Sequence, residues 1–222
     1  MSRPPPISVA ADPAVPTLYV DAQFMSPYAM SAFVGLCEKG LRFDLRSVDL
    51  AANEQAGAAY AALSPTRRVP ALVEGDFRLC ESSAICEYLE DCHPPPAAPA
   101  LYPADPRARA QARQLQAWLR SDFLPIRQER STEVVFIKPT DVPLSQQARR
   151  SAEKLFAGLS SLLADGASHL FGAWSIADTD AALMLSRLVL NGDPVPDRLA
   201  AYALHQWQRP SVQRWVRQQR GG

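Results

Sequence analysis

Three short segments combine polar side chains with turn chemistry that could hold a small ligand. In "SPY", Ser26-Pro27-Tyr28, Pro27 suits the first position of a helix, which makes Ser26 its N-cap, with the hydroxyl beside the positive end of the helix dipole. An anion is favoured there, so the serine reads as a plain cap or as a hydroxyl presented to a ligand, and both can hold at once. In "TRRVPAL", residues 66–72, a Val-Pro pair enters a strand although proline has no N–H for a ladder. A cis bond at Pro70 would turn the chain and leave the Val69 backbone free to pair with an extended peptide, whereas a trans proline would simply start the strand. In "CESSAI", residues 80–85, Ser82 caps a helix and Glu81 precedes it. A helix start that binds carboxylates thus lies beside a side chain that binds amines, matching the two ends of an α-amino acid group.

These segments need elements to position them. "TLYVDA" reads as a strand and Pro27–Lys39 as a helix burying Met30, Phe33, Val34 and Cys37, ended by Gly40. "RFDLRSVDL" alternates as a strand, "NEQAGAAYAAL" reads as a short helix, and "PALVEGDFRLC" is a hairpin turning at Gly75 and Asp76. Ser82–Asp91 completes a β-α-β-α-β-β-α order. The prolines of "HPPPAAPALYP" mark a boundary, after which only helical periodicity remains. Helices are expected over Arg107–Leu124, with Pro125 kinking or ending the run, and over Ser145–Ala164, Ser175–Leu190, Asp197–His205 and Ser211–Gln219. The "SIAD" at residues 175–178 forms a capping box. The proline-rich residues 1–16 carry no periodicity and are expected to be a flexible extension.

The 222 residues are long enough for two small cores, and 23 basic residues balance 23 acidic ones, so no net field draws the chain to nucleic acid or anionic lipid. The balance is local. Residues 17–92 carry 11 acidic and 6 basic residues, and residues 93–222 carry 11 and 16, so two oppositely charged halves could meet within or between subunits. The four cysteines form no C-x-x-C pair and the three histidines are far apart, so neither a metal site nor a disulfide framework is indicated. No apolar run is long enough to cross a bilayer and no signal-peptide core is visible, so a cytoplasmic location is expected.

Taken together and in this order, "SPY", "RRVPAL", "ESSAICEYLE" and "GAWSIADTDAAL" resemble the glutathione transferase family over roughly residues 17–218. "SPYAMSAF" and "ESSAICEYLED" are similar to its serine-type bacterial members of the YfcF type. The resemblance implies an α+β fold, with a thioredoxin-like domain at 17–92, a linker at 93–103 and an all-helical domain at 104–222. It also implies glutathione as co-substrate. Ser26 would donate a hydrogen bond to its sulfur, Val69 would pair with its cysteinyl backbone beside a cis Pro70, and Glu81 and Ser82 would hold its γ-glutamyl end. Arg68, or Arg67 in its place, would meet the glycine carboxylate. A small-molecule electrophile would enter a less polar recess between the domains, for which Tyr28, Phe123 and Ile126 are candidates, and the protein would be a homodimer. Asp178 resembles a folding residue rather than a catalyst.

Other activities are compatible with the same fold. Glutathione-dependent peroxide reduction, isomerisation of a maleylacetoacetate-like substrate, and non-catalytic glutathione-transferase-like binding are the alternatives. Serine rather than cysteine at position 26 argues against disulfide exchange, and the doubled Ser-Ser-Cys signature of zeta isomerases is absent. Cys80, at a strand end, reads as buried and inert.

Overall fold

The computed structural model describes residues 15–218. The expected extension over residues 1–16 falls, up to residue 14, outside them, as does Gln219 at the end of the last expected helix. Thr17–Asp21 (β1) is buried at every position, while in Asp44–Val48 (β2) only Val48 is fully buried. Ala71–Glu74 (β3) and Phe77–Cys80 (β4) form the hairpin, with Gly75 at φ 59° in the turn. The sheet order is β2-β1-β3-β4. β1 runs parallel to β2 and antiparallel to β3, so Leu18 pairs with Leu45 on one side and with Leu72 on the other.

Pro27–Glu38 (α1) follows β1 and buries Ala29 through Leu36. Gly40, at φ 67°, closes this helix where a side chain would be strained. The expected helix over residues 53–63 is instead a 3-10 turn, Glu54–Ala56, and a single helical turn, Ala58–Ala61 (α2). Asn53 at φ 58° and Gly57 at ψ 151° interrupt what an unbroken alanine-rich run would have continued. Ser82–Cys92 (α3) completes the expected β-α-β-α-β-β-α order, a thioredoxin-like arrangement.

The remaining elements among the described residues are helical: Pro106–Ser121 (α4), Leu124–Glu129 (α5), Glu133–Phe136 (α6), Gln146–Leu162 (α7), Ile176–Val189 (α8), Asp197–Trp207 (α9) and Pro210–Val216 (α10). Pro125 neither kinks nor ends α4, which stops at Ser121; it occupies the first turn of α5, where its missing N–H costs nothing. Helix α8 is buried on nearly all sides and forms the axis of this half. A Cβ at Gly158 would stand 2.4 Å from the Trp118 ring, so glycine there lets α7 approach the residue that packs on Phe123.

The sheet half and the helical half share one apolar core that runs from Leu18, Phe33 and Leu36 to Leu185, Leu188 and Trp215. Trp215 packs against both Phe24 and Phe33. A polar clasp adds to this. Glu38, the last residue of α1, accepts from Arg209 Nε at 2.8 Å and Nη2 at 2.7 Å and from the Ser211 hydroxyl, while the Arg209 guanidinium lies 3.8 Å over the Trp174 ring. Among the described residues, no helix is long and apolar enough to cross a membrane.

Candidate active site

At the end of β1, the Asp21 carboxylate is 3% exposed and accepts from the backbone N–H groups of Met25, at 2.6 Å, and Ser26, at 3.0 Å. Phe24 takes φ 53° to close this loop. The arrangement delivers Ser26 to the start of α1 in extended conformation (ψ 118°), and its Oγ accepts from Ala29 N–H at 3.2 Å. Ser26 is half-buried and Pro27 sits in the first turn, as the sequence predicts. The cap occupies a lone pair of the hydroxyl and leaves its proton available to an acceptor outside.

The Val69–Pro70 bond is cis, and the paired registers of β3 begin only at Ala71, so the Val69 backbone stands outside the ladder. The Tyr60 hydroxyl, at 2.9 Å, and the Ser64 hydroxyl, at 3.1 Å, both donate to the Arg68 carbonyl and fix the approach to that turn. Ser64 Oγ also takes the Cys80 thiol at 3.1 Å, and Cys80 is buried.

Ser82 departs from its expected role. Glu81, not Ser82, is the N-cap of α3, at φ 69°, and no side chain caps that helix. Ser82 opens the helix itself, is 1% exposed, and its Oγ accepts from Arg120 Nη2 at 3.1 Å. A non-glycine residue in this left-handed region is strained and turns the Glu81 side chain out into solvent.

Arg68, Val69, Pro70, Glu81 and Ser82 line one groove, together with Tyr28 and Arg120. Arg67, at φ 52°, is not part of its wall. Ser26 does not line the groove; it precedes Tyr28 by two residues at the head of α1. A second recess adjoins the first, since Tyr28 and Arg120 wall both. Of the recess candidates, Tyr28 is in place, whereas Phe123 and Ile126 are fully buried in the core.

The sequence reading missed Asp21 and Arg120. Asp21 acts on amides four and five residues ahead, through a loop whose shape no local pattern announces. Arg120 is one of several arginines on α4, and only packing separates it from the solvated ones. Besides Ser82 it reaches Asp180 Oδ2 at 3.2 Å, and its guanidinium lies 5.9 Å from the Tyr28 ring centroid.

A thioredoxin-like sheet is fused to a helical bundle, with a polar groove where a cis-proline turn meets the starts of α1 and α3, and this defines a two-part α+β class of fold. Residues 25–92 match the family model for the N-terminal domain of glutathione S-transferases, and residues 105–219 match that for the C-terminal domain. The chain belongs to the glutathione S-transferase family. It is 49% identical to a glutathione transferase homologue from Burkholderia gl BGR1 solved with bound glutathione, over 91% of this chain and 97% of that one, with a TM-score of 0.77. Glutathione S-transferase theta-3 of Mus musculus is 36% identical over 101 residues, and glutathione S-transferase T1 of Arabidopsis thaliana is 29% identical over 206 residues. The match to the mouse protein covers 46% of this chain and 40% of that protein; the match to the plant protein covers 90% and 81%. The chain thus spans about two fifths of the length of the theta relatives it matches.

Proposed function

We propose that this protein is a glutathione S-transferase that activates the thiol of glutathione for attack on a small electrophile. The observation that carries this reading is a half-buried serine hydroxyl at the head of α1, beside a groove walled by Arg68, Val69, cis Pro70, Glu81 and Ser82. The glutathione-bound Burkholderia relative supports the same reading.

In this reading residues 17–92 bind glutathione, residues 93–103 link, and residues 104–222 supply the wall for the electrophile. The Val69 backbone pairs with the cysteinyl peptide. Glu81 takes the γ-glutamyl amine, and Ser82 with the N-terminal amides of α3 takes its carboxylate. Arg120 on Ser82 adds positive charge at that end. Arg68, on the groove wall where Arg67 is not, meets the glycine carboxylate. The sulfur then lies at Ser26, whose O–H and helix dipole stabilise the thiolate. A free thiol ionises at about pH 8.5, and each unit by which that value falls is about 1.4 kcal/mol of preferential anion binding. The thiol proton leaves to water; the thiolate forms a C–S bond to the electrophilic carbon and expels its leaving group with the bonding pair. Ser26 is not acylated and needs no histidine partner. A cytoplasmic homodimer, the more acidic half of one subunit against the more basic half of its partner, completes the reading.

The test is retention on immobilised glutathione together with conjugation of 1-chloro-2,4-dinitrobenzene. Ser26→Ala is expected to be retained while conjugation falls by about 100-fold, the cost of removing one preorganised donor to a developing anion. Glu81→Ala is expected to weaken retention itself. If the folded parent protein is not retained, a binding module for another ligand replaces the transferase.

A further inference from the structure

The recess beside the glutathione groove is walled by apolar side chains of α8, Leu183 and Met184, and by three arginines, Arg120, Arg127 and Arg187. Its one carboxylate, Asp180, is already engaged by Arg120 and by Gln116 Nε2 at 2.8 Å. The other two guanidinium groups have no such partner. Among the described residues, neither Arg127 nor Arg187 takes part in an ion pair. Arg127 Nη1 donates to the Leu119 carbonyl at 2.9 Å, and Arg187 Nη1 to the Arg130 carbonyl at 2.7 Å. Arg187 is 4% exposed, and its buried Nε has no hydrogen-bond partner. Burial pushes its pKa down to about 10; attraction to Tyr28 opposes this and repulsion from Arg127 adds to it.

A buried cation facing a second cation, with an N–H left unbonded, is costly in an empty site. The cost is removed by an anion that reaches both. A guanidinium fork matches a carboxylate in two parallel hydrogen bonds, and the low local dielectric strengthens them. An exposed arginine pair facing water would carry no such demand; here three guanidinium groups and one carboxylate line the recess, so its charge is net positive.

We propose that this recess takes the carboxylate group of an anionic electrophile, with Arg127 and Arg187 binding that group while the carbon frame lies across its mouth beside Leu183 and Met184. The inference rests on the transferase reading for the identity of the reaction, but not for the binding of the anion. Both arginines are specificity-determining rather than catalytic, since neither is placed at the sulfur.

The test compares 4-chloro-3-nitrobenzoate with its neutral near-isostere 4-chloro-3-nitrobenzamide by calorimetry, on the full chain without glutathione. The acid is expected to bind at least tenfold more tightly. Arg127→Gln should bring the two within about threefold, and Arg187→Gln should do the same if circular dichroism shows it folded. Arg127 is partly exposed, so its variant keeps the experiment decisive where the buried one unfolds. Equal binding of acid and amide by the parent, no binding of either at millimolar concentration, or a preference that survives Arg127→Gln overturns the proposal. The transferase reading fails separately: the acid preference would persist in Arg127-intact protein while neither probe is conjugated when glutathione is added.

Discussion

Two helices of this molecule begin with the same local grammar, a serine cap tied to an aspartate, and are put to different uses. At α1 the aspartate lies upstream: Asp21, in the strand, gathers the Met25 and Ser26 amides, and the serine hydroxyl keeps its outer side open. At α8 the aspartate lies downstream. Asp178 is fully buried and accepts from the backbone N–H groups of Ser175 and Leu170, both at 2.8 Å, and from the Tyr202 hydroxyl at 2.9 Å. Ser175 is itself fully buried. One arrangement leaves a donor for a ligand; the other consumes every donor within the protein. Position relative to solvent, not the motif, separates a chemical cap from a folding cap.

The sharpest way to break this comparison is Asp178→Ala. It strands two buried backbone N–H groups and the buried hydroxyls of Ser175 and Tyr202, so at least about 3 kcal/mol of stability should be lost. Urea unfolding reads this as a lower midpoint; an unchanged midpoint would remove the folding role. Ser26→Ala, in contrast, deletes one partly exposed cap and should cost no more than about 1 kcal/mol by the same measurement. A loss as large as that of Asp178→Ala would make the two starts equivalent.

Asp21→Asn sharpens the distinction further. The amide can accept from only one of the two backbone N–H groups, so about 1 kcal/mol of stability should go. If Asp21 positions Ser26, conjugation should fall along with it, roughly tenfold, at unchanged glutathione affinity. Retained conjugation would show that the loop keeps its shape without the carboxylate.

The smallest effect belongs to His169, whose Nδ1 lies 3.0 Å from Gln206 Nε2. Burial holds its pKa below the usual 6.5; Asp178 raises it, and His205 and Arg209 lower it further. The unfolded chain therefore binds the proton more readily, so stability is intact above about pH 6.5 and declines as the pH falls toward the folded value. Thermal midpoints between pH 7 and pH 5 should fall less in His169→Gln than in the parent; parallel curves would exclude this histidine.

Much of the frame was legible because hydrophobic period and turn chemistry agree with the tertiary structure. The strand pattern of residues 17–21, the Gly75-Asp76 turn and the capping box at Ser175 and Asp178 are local features, and they stand as read. The failures lie where tertiary contacts decide. Ser82 reads as a cap, yet it lies inside α3 because Glu81 adopts a positive φ that no propensity favours. Pro125 reads as a stop for one helix and is the start of the next. Arginine at helical spacing looks the same whether it faces water or a cavity, so Arg120, Arg127 and Arg187 could be singled out only after α4, α5 and α8 were placed around one recess.

The clasp on Glu38 has a further consequence. Helix α1 is fastened at both ends, by Asp21 through the Met25–Ser26 amides and by Arg209 and Ser211 through Glu38, about 18 Å apart along the helix axis at 1.5 Å per residue. A rod pinned only at its reactive tip could pivot; one pinned at its tail as well cannot. The grip on Glu38 thus bears on the Ser26 end through the length of the helix, and loosening it would reach the hydroxyl as leverage rather than as a lost contact.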